Sequence, residues 1–160
     1  MNTLRHGAWI VVMAIAGLLQ VPSVKAQALD HRTDGERLIG AWHLVHIHSP
    51  EPNRTEIDMP QPTGILIFTR DGHESVQLMY SKSEHELNNQ YVRDGYEASF
   101  GTYGLDEATH TLTFHVQGSD TDDLLVGKDL PRIYHFTKDG DLLIRSARSD
   151  EHWSVLWKHY

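Results

Sequence analysis

Eight short segments rich in β-branched and aromatic residues, most of them joined by short turns, constrain the fold of this chain most strongly. Two turns contain Asp-Gly, at Asp71-Gly72 and Asp139-Gly140, and this pair favours a hairpin because glycine adopts positive φ without steric cost. The pattern predicts an all-β domain of eight antiparallel strands, either closed as a barrel or packed as a sandwich. The segments are residues 38–48, 64–69, 74–80, 96–105, 111–117, 131–137, 141–145 and 151–158.

One stretch departs from the strand pattern. Ser83 and Glu86 have the spacing of a helix capping box, an apolar pair at helical spacing follows, and Gly95 can end a helix. We therefore expect one short helix over residues 84–94, between the third and fourth strands, where it covers or plugs one end of the barrel. Residues 29–36 are expected to be a flexible polar lead-in, and the acidic residues 120–123 a solvated loop at the rim.

The first 28 residues have the features of a signal peptide. Arg5 precedes an apolar run over residues 8–19, and Ala26-Gln27-Ala28 offers a small-x-small cleavage site. The run of 12 residues is short for a bilayer span, which needs about 20. The sequence thus predicts a signal peptide at residues 1–28, one domain at residues 29–160, and export to the periplasm or the extracellular space. Cleavage after Ala26 and an uncleaved membrane anchor are the alternatives.

Charge and composition narrow the class of partner. Without Arg5 and Lys25, the 14 basic residues become 12 against 22 acidic ones, a net charge of −10 with histidine neutral. An acidic surface argues against nucleic acid and against anionic membrane surfaces as partners. The absence of cysteine excludes disulfides, thiol catalysis and zinc–cysteine sites. A small molecule is the remaining kind of partner, and the oligomeric state stays open.

A Gly-x-Trp sequence, Gly40-Ala41-Trp42, opens the first strand. Together with residues 64–73, 75–79, 100–103, 115–119 and 155–157, and with Val126-Gly127, Arg132 and Tyr134, it resembles the bacterial and fungal lipocalin-like domain family over roughly residues 38–158. The resemblance implies a calycin-type β-barrel with a central cavity. It implies no reaction, because the members are mostly of unassigned function. The chain departs from secreted lipocalins in lacking a central Thr-Asp-Tyr segment and cysteines.

Strand alternation then suggests which residues face the cavity. With Trp42 inward, His46 and His48 also point inward, which leaves the apolar Val45 and Ile47 outward. Either this outer face packs against the helix or a loop, or a β-bulge shifts the register. On the fifth strand, alternation buries Leu112, Phe114 and Val116, whereas the resemblance draws attention to the opposite face. The candidate ligand-binding residues are Trp42, His46, His48, Tyr103, His115, Gln117, Arg132 and Tyr134. Each also has a structural interpretation, as an ion-paired arginine, a core tyrosine or a packing tryptophan.

A metal site is the less favoured use of the histidines. His46 and His48 would lie about 7 Å apart on one strand face, since each residue rises about 3.3 Å. Zinc, copper or iron accept imidazole, but the sequence offers no clear third ligand and no cupin spacing. We therefore predict no metal and no cofactor.

Three functions remain compatible with the sequence. The first, which we favour, is binding of a small apolar or amphipathic molecule in the cavity. The alternative is a cavity enzyme, such as an isomerase, cyclase or hydrolase, that uses His115 with Tyr103 or Arg132 for acid–base chemistry. The third is a structural domain with a filled barrel.

Overall fold

The computed structural model describes residues 32–48, 62–81 and 88–160. The chain divides into two units, Met1–His31 and Arg32–Tyr160. The first unit lies outside the described residues, so the signal peptide at residues 1–28 and the domain boundary at residue 29 stay predictions. Within the described ranges, no helix has the length and apolar character needed to cross a membrane.

Eight antiparallel strands form one closed barrel in which each strand pairs with the next and the last returns to the first. This confirms the predicted eight-stranded antiparallel barrel and excludes the sandwich. Within the described ranges, two short helices accompany the strands, α1 (Asp34–Leu38) and α2 (Asp122–Leu125). The strands are β1 (Gly40–His48), β2 (Thr63–Phe68), β3 (His73–Met79), β4 (Tyr96–Asp106), β5 (Thr111–Ser119), β6 (Asp129–Phe136), β7 (Leu142–Ser146) and β8 (Ser154–His159).

The two Asp-Gly turns form as the sequence predicts. Gly72 joins β2 to β3 and Gly140 joins β6 to β7, each with φ of 87°. Positive φ is disfavoured for residues with a Cβ atom, so glycine permits both tight turns. The confirmed hairpins fix the register of two strand pairs.

A β-bulge in β1 decides which of its side chains point inward. The pairing of β1 with β8 shifts register between Leu44 and His46. Beyond the shift, Ile47 packs against the core with Leu44, whereas His46 is exposed. The expectation that His46 and His48 point inward is wrong, because the extra residue inverts the alternation from that position onward. The bulge alternative is confirmed.

Helix α1 covers one end of the barrel, which we call the closed end. Thr33 and Glu36 form a reciprocal capping box that starts the helix. Leu38 at its last position is fully buried, and its carbonyl accepts a hydrogen bond of 2.8 Å from the indole of Trp42. The guanidinium of Arg37 lies 3.9 Å from the ring centre of Phe136. The flexible lead-in expected over residues 29–36 is therefore wrong for its second half.

The connection between β3 and β4 differs from the predicted helix over residues 84–94. Residues 84–87 lie outside the described part of the chain. Residues 88–94 form bends, an isolated bridge and a turn, and Asn89 accepts hydrogen bonds from the backbone N–H groups of Tyr91 and Val92 at 2.7 and 3.0 Å. Such side-chain bonds compete with helical ones, so this half of the prediction is wrong. The acidic stretch at residues 120–123, expected as a loop, contributes the first turn of α2.

Candidate functional site

The end of the barrel opposite α1 has inward apolar side chains that are only partly buried. The end opposite α1, which we call the open end, carries the connections β1–β2, β3–β4, β5–β6 and β7–β8. Near it, the inward side chains of Ile47, Leu130 and Val155 pack on the core but are only partly buried. These three side chains therefore form part of the rim of the barrel at the open end.

Arg132 on β6 is the buried cation of this interior. It is 5% exposed, and its guanidinium carbon lies 5.3 Å from the ring centre of Tyr91 and 4.8 Å from that of Trp153. Its Nη1 donates to the carbonyl of Pro131 at 3.3 Å, and no carboxylate of the described ranges lies within 4.0 Å of it. Cation–π contacts offset part of the desolvation cost of the charge. The guanidinium also interacts with the Tyr91 hydroxyl, and it opposes the increase in the pKa of Tyr91 that burial causes.

Two acids point into the barrel: Glu74 is buried beside the closed-end turn between β2 and β3, and Glu97 is half-buried at the start of β4, near the open end. Glu74 is 3% exposed, and neither of its carboxylate oxygens has a hydrogen-bond partner within the described residues. Burial raises the pKa of Glu74 to about 7, although the positive charge of Arg132 opposes this. Burial likewise raises the pKa of Glu97 to about 7, with Arg132 opposing and Asp120 adding to the increase. The interior therefore combines a fixed positive charge with two acids that titrate near neutral pH.

Glu151, in the connection between β7 and β8, fixes the two rings beside Arg132. Burial alone would raise the pKa of its carboxyl. Several hydrogen bonds together have the larger, opposite effect, so the pKa lies below its usual value. The carboxylate is thus ionised at neutral pH and joins the connections β3–β4 and β7–β8 at the open end. Its donors are the Ser146 hydroxyl at 2.6 Å, the Gln90 amide at 2.7 Å, the Tyr91 hydroxyl at 3.0 Å and the Trp153 indole at 3.1 Å.

Comparison with known proteins identifies the family. The family model described as "Lipocalin-like domain" matches residues 39–158. The chain belongs to the lipocalin-like domain family. A solved structure of an asparagine-to-alanine mutant of the fluorescent protein UnaG is 14% identical, with a TM-score of 0.40, and the match covers 78% of this chain and 97% of that chain. No curated protein sequence matches this chain.

Three of the sequence-predicted site residues lie in the closed half of the lipocalin-like barrel. Trp42 is buried in the closed-end core. The Tyr134 hydroxyl donates to Asp34 of α1 at 2.9 Å, and burial together with this carboxylate raises the pKa of Tyr134 above its usual range. The Tyr103 hydroxyl donates to the carbonyl of Thr69 at 3.1 Å. These contacts match the structural interpretation of each side chain, and only Arg132 of the predicted set lies in the open-end interior.

The other four predicted residues, His46, His48, His115 and Gln117, lie on the outer face of the lipocalin-like barrel. On β5 the apolar alternate residues occupy the inner face, so His115 and Gln117 are exposed, and His115 Nδ1 lies 2.6 Å from Asp129 Oδ1. Their expected position at the cavity is wrong, because the buried apolar set determines the inward face. The enzyme alternative also loses its geometry, since His115 is separated from Arg132 and Tyr103 by the barrel wall.

The histidines in the described part of the chain form no metal site either. His46 and His48 share one strand face, as expected, but it is the outer one. Across residues 32–48, 62–81 and 88–160, no group of three or more His, Cys, Asp or Glu side chains has the arrangement to hold a metal ion.

Proposed function

We propose that this chain is an exported lipocalin-like protein that binds a small amphipathic molecule in the open end of its barrel. The observation that carries this proposal is the buried guanidinium of Arg132, which lies against two aromatic rings and has no carboxylate within 4.0 Å in the described ranges. A charge in this environment is stabilised by an anionic or hydrogen-bond-accepting group. A bound molecule with such a group would supply the missing contact.

The surroundings of Arg132 fit the apolar part of such a molecule. Ile47, Leu130 and Val155 offer inward apolar surface, and Trp153 adds an aromatic ring. Burial of apolar surface contributes about 25 cal/mol per Å². A hydrogen bond to a charged group contributes about 1.5–3 kcal/mol. Micromolar affinity requires about 8 kcal/mol, so neither contribution suffices alone and an amphipathic ligand is favoured over a purely polar one.

Titration with 8-anilinonaphthalene-1-sulfonate, which combines apolar rings with an anion, tests this function by fluorescence. We expect Arg132→Met to weaken binding at least tenfold, as loss of a charge-assisted hydrogen bond predicts. The matched control is Arg145→Met, which removes an exposed arginine from the outer face of β7. Equal affinities of the two variants would contradict the assignment of Arg132. Thermal unfolding of both variants establishes that each is folded.

Two measurements on protein isolated from its own host address the natural ligand and the export. Native mass spectrometry should show a retained organic molecule, and a protein without added mass would argue against a tightly held ligand. The mass of the polypeptide should correspond to a chain that begins at Leu29, or at Gln27 if cleavage follows Ala26. A chain that retains residues 1–28 would refute the proposed processing.

A further inference from the structure

We propose that the same interior has a second polar subsite, in which the carboxylate of Glu74 accepts a hydrogen bond from an N–H or O–H group of the ligand. This inference rests on the proposed binding function and specifies the ligand further. The ligand then carries a hydrogen-bond donor in addition to the group that Arg132 binds. Phenols, alcohols and secondary amides with an attached anionic or acceptor group have this combination.

The position of Glu74 in the sheet directs its side chain inward. Glu74 pairs with Phe68 on β2 and Gly101 on β4, and it shares its strand face with the buried residues Val76 and Leu78. A charged residue thus occupies a position where the strand pattern otherwise places apolar core residues. Solvent at the outer surface of the barrel cannot hydrate this carboxyl group, since only 3% of the residue is exposed.

The missing hydrogen bonds of Glu74 indicate a partner that is not among the described residues of the chain. Buried polar groups in folded proteins are nearly always hydrogen-bonded. Both oxygens of Glu74 lack a partner within residues 32–48, 62–81 and 88–160. Arg132 attracts the carboxylate electrostatically from β6, but the two groups lie more than 4.0 Å apart. A ligand that contacts both groups must therefore extend from Arg132 to the closed-end part of β3, where Glu74 lies.

A pair of probes that differ in one donor tests this subsite by isothermal titration calorimetry. The probe 6-hydroxynaphthalene-2-sulfonate has an anion for Arg132 and an O–H donor, whereas 6-methoxynaphthalene-2-sulfonate has the anion but no donor. At about pH 8, above the pKa of Glu74, we expect the wild type to bind the hydroxy probe about tenfold more tightly, the effect of one hydrogen bond to a carboxylate. The ratio of the two probe affinities should fall to about one in Glu74→Leu. Glu74→Gln keeps an acceptor oxygen and should retain part of the preference for the hydroxy probe.

The control variant is Gln77→Leu, which removes a polar side chain from the exposed face of the same strand and should keep the wild-type ratio. A ratio in Glu74→Leu equal to that of the wild type would overturn the subsite, as would a wild-type ratio of one. If the wild type binds both probes equally, the second subsite fails while the proposed binding function stands. If it binds neither, both proposals fail for this class of ligand.

Discussion

Replacing Glu74 with glutamine should change how the stability of the protein depends on pH. The amide keeps the size and polarity of the side chain but cannot ionise. The pKa of Glu74 is about 7 in the folded protein, in place of the ordinary 4.5, because burial disfavours the charged form. A tenfold change in proton affinity corresponds to about 1.4 kcal/mol, so ionisation of this one group destabilises the folded state by about 3 kcal/mol.

The direction of the effect follows from which state holds the proton. Between pH 4.5 and about 7, the carboxyl is ionised in the unfolded chain and still protonated in the folded protein. The free energy of unfolding therefore falls as pH rises through this range and levels off above it. Arg132 reduces the effect of burial, and Glu97 titrates in the same direction, so the glutamine variant retains part of the pH dependence.

Urea unfolding of the wild type and of Glu74→Gln between pH 4.5 and 8.5 measures the difference. We expect the free energy of unfolding of the variant, relative to the wild type, to increase by about 3 kcal/mol from the lower to the higher pH. Asp139→Asn, at an exposed hairpin turn, is the control and should give a nearly constant difference. Parallel curves for the wild type and Glu74→Gln would refute the reasoning, because they would mean that Glu74 ionises equally in both states.

Three further predictions follow from the remaining contacts. Trp42→Ala should lower the free energy of unfolding by about 3–5 kcal/mol in urea titrations, because it leaves a large cavity at the closed end. Glu151→Gln should cost about 2 kcal/mol and should weaken sulfonate-probe binding measured by fluorescence, because the ionised acceptor that holds Tyr91 and Trp153 is lost. His115→Ala should change stability by less than about 0.5 kcal/mol and leave probe affinity unaltered, and a marked loss of affinity would contradict its place on the outer face.

The barrel was predictable from the sequence because short stretches of residues specify its hairpins and its strand faces. Turn residues such as Asp71-Gly72 mark hairpins, and alternating apolar residues mark strand faces. On β5 this alternation already identified the buried face, and the family resemblance drew attention to the wrong one by emphasising His115. On β1 a single bulge turns His46 to the outer face. Bulges have no reliable sequence pattern, and the only hint here was that strict alternation would have left the apolar Ile47 outside.

The candidate site was less accessible to sequence analysis. Arg132 was recognised because it shares a strand face with aromatic residues. Glu74 could have been found by the same rule, since it alternates with Val76 and Leu78 on an apolar face. Glu97 alternates with Ser99 and Gly101, which give no apolar pattern. The hydrogen bonds of Glu151 join it to Tyr91, 60 residues away, and no spacing rule reveals a contact of that kind.

The closed end has a practical consequence for handling the protein. Tyr160 directly follows β8, and its backbone N–H donates to the carbonyl of Ala41 at 3.1 Å, so it lies beside the start of β1, at the end of the barrel opposite Trp153. A tag or a surface tether attached at Tyr160 therefore emerges on the side away from Arg132. Protein immobilised in this way should present its open end to the solution, which suits ligand screening on sensor surfaces.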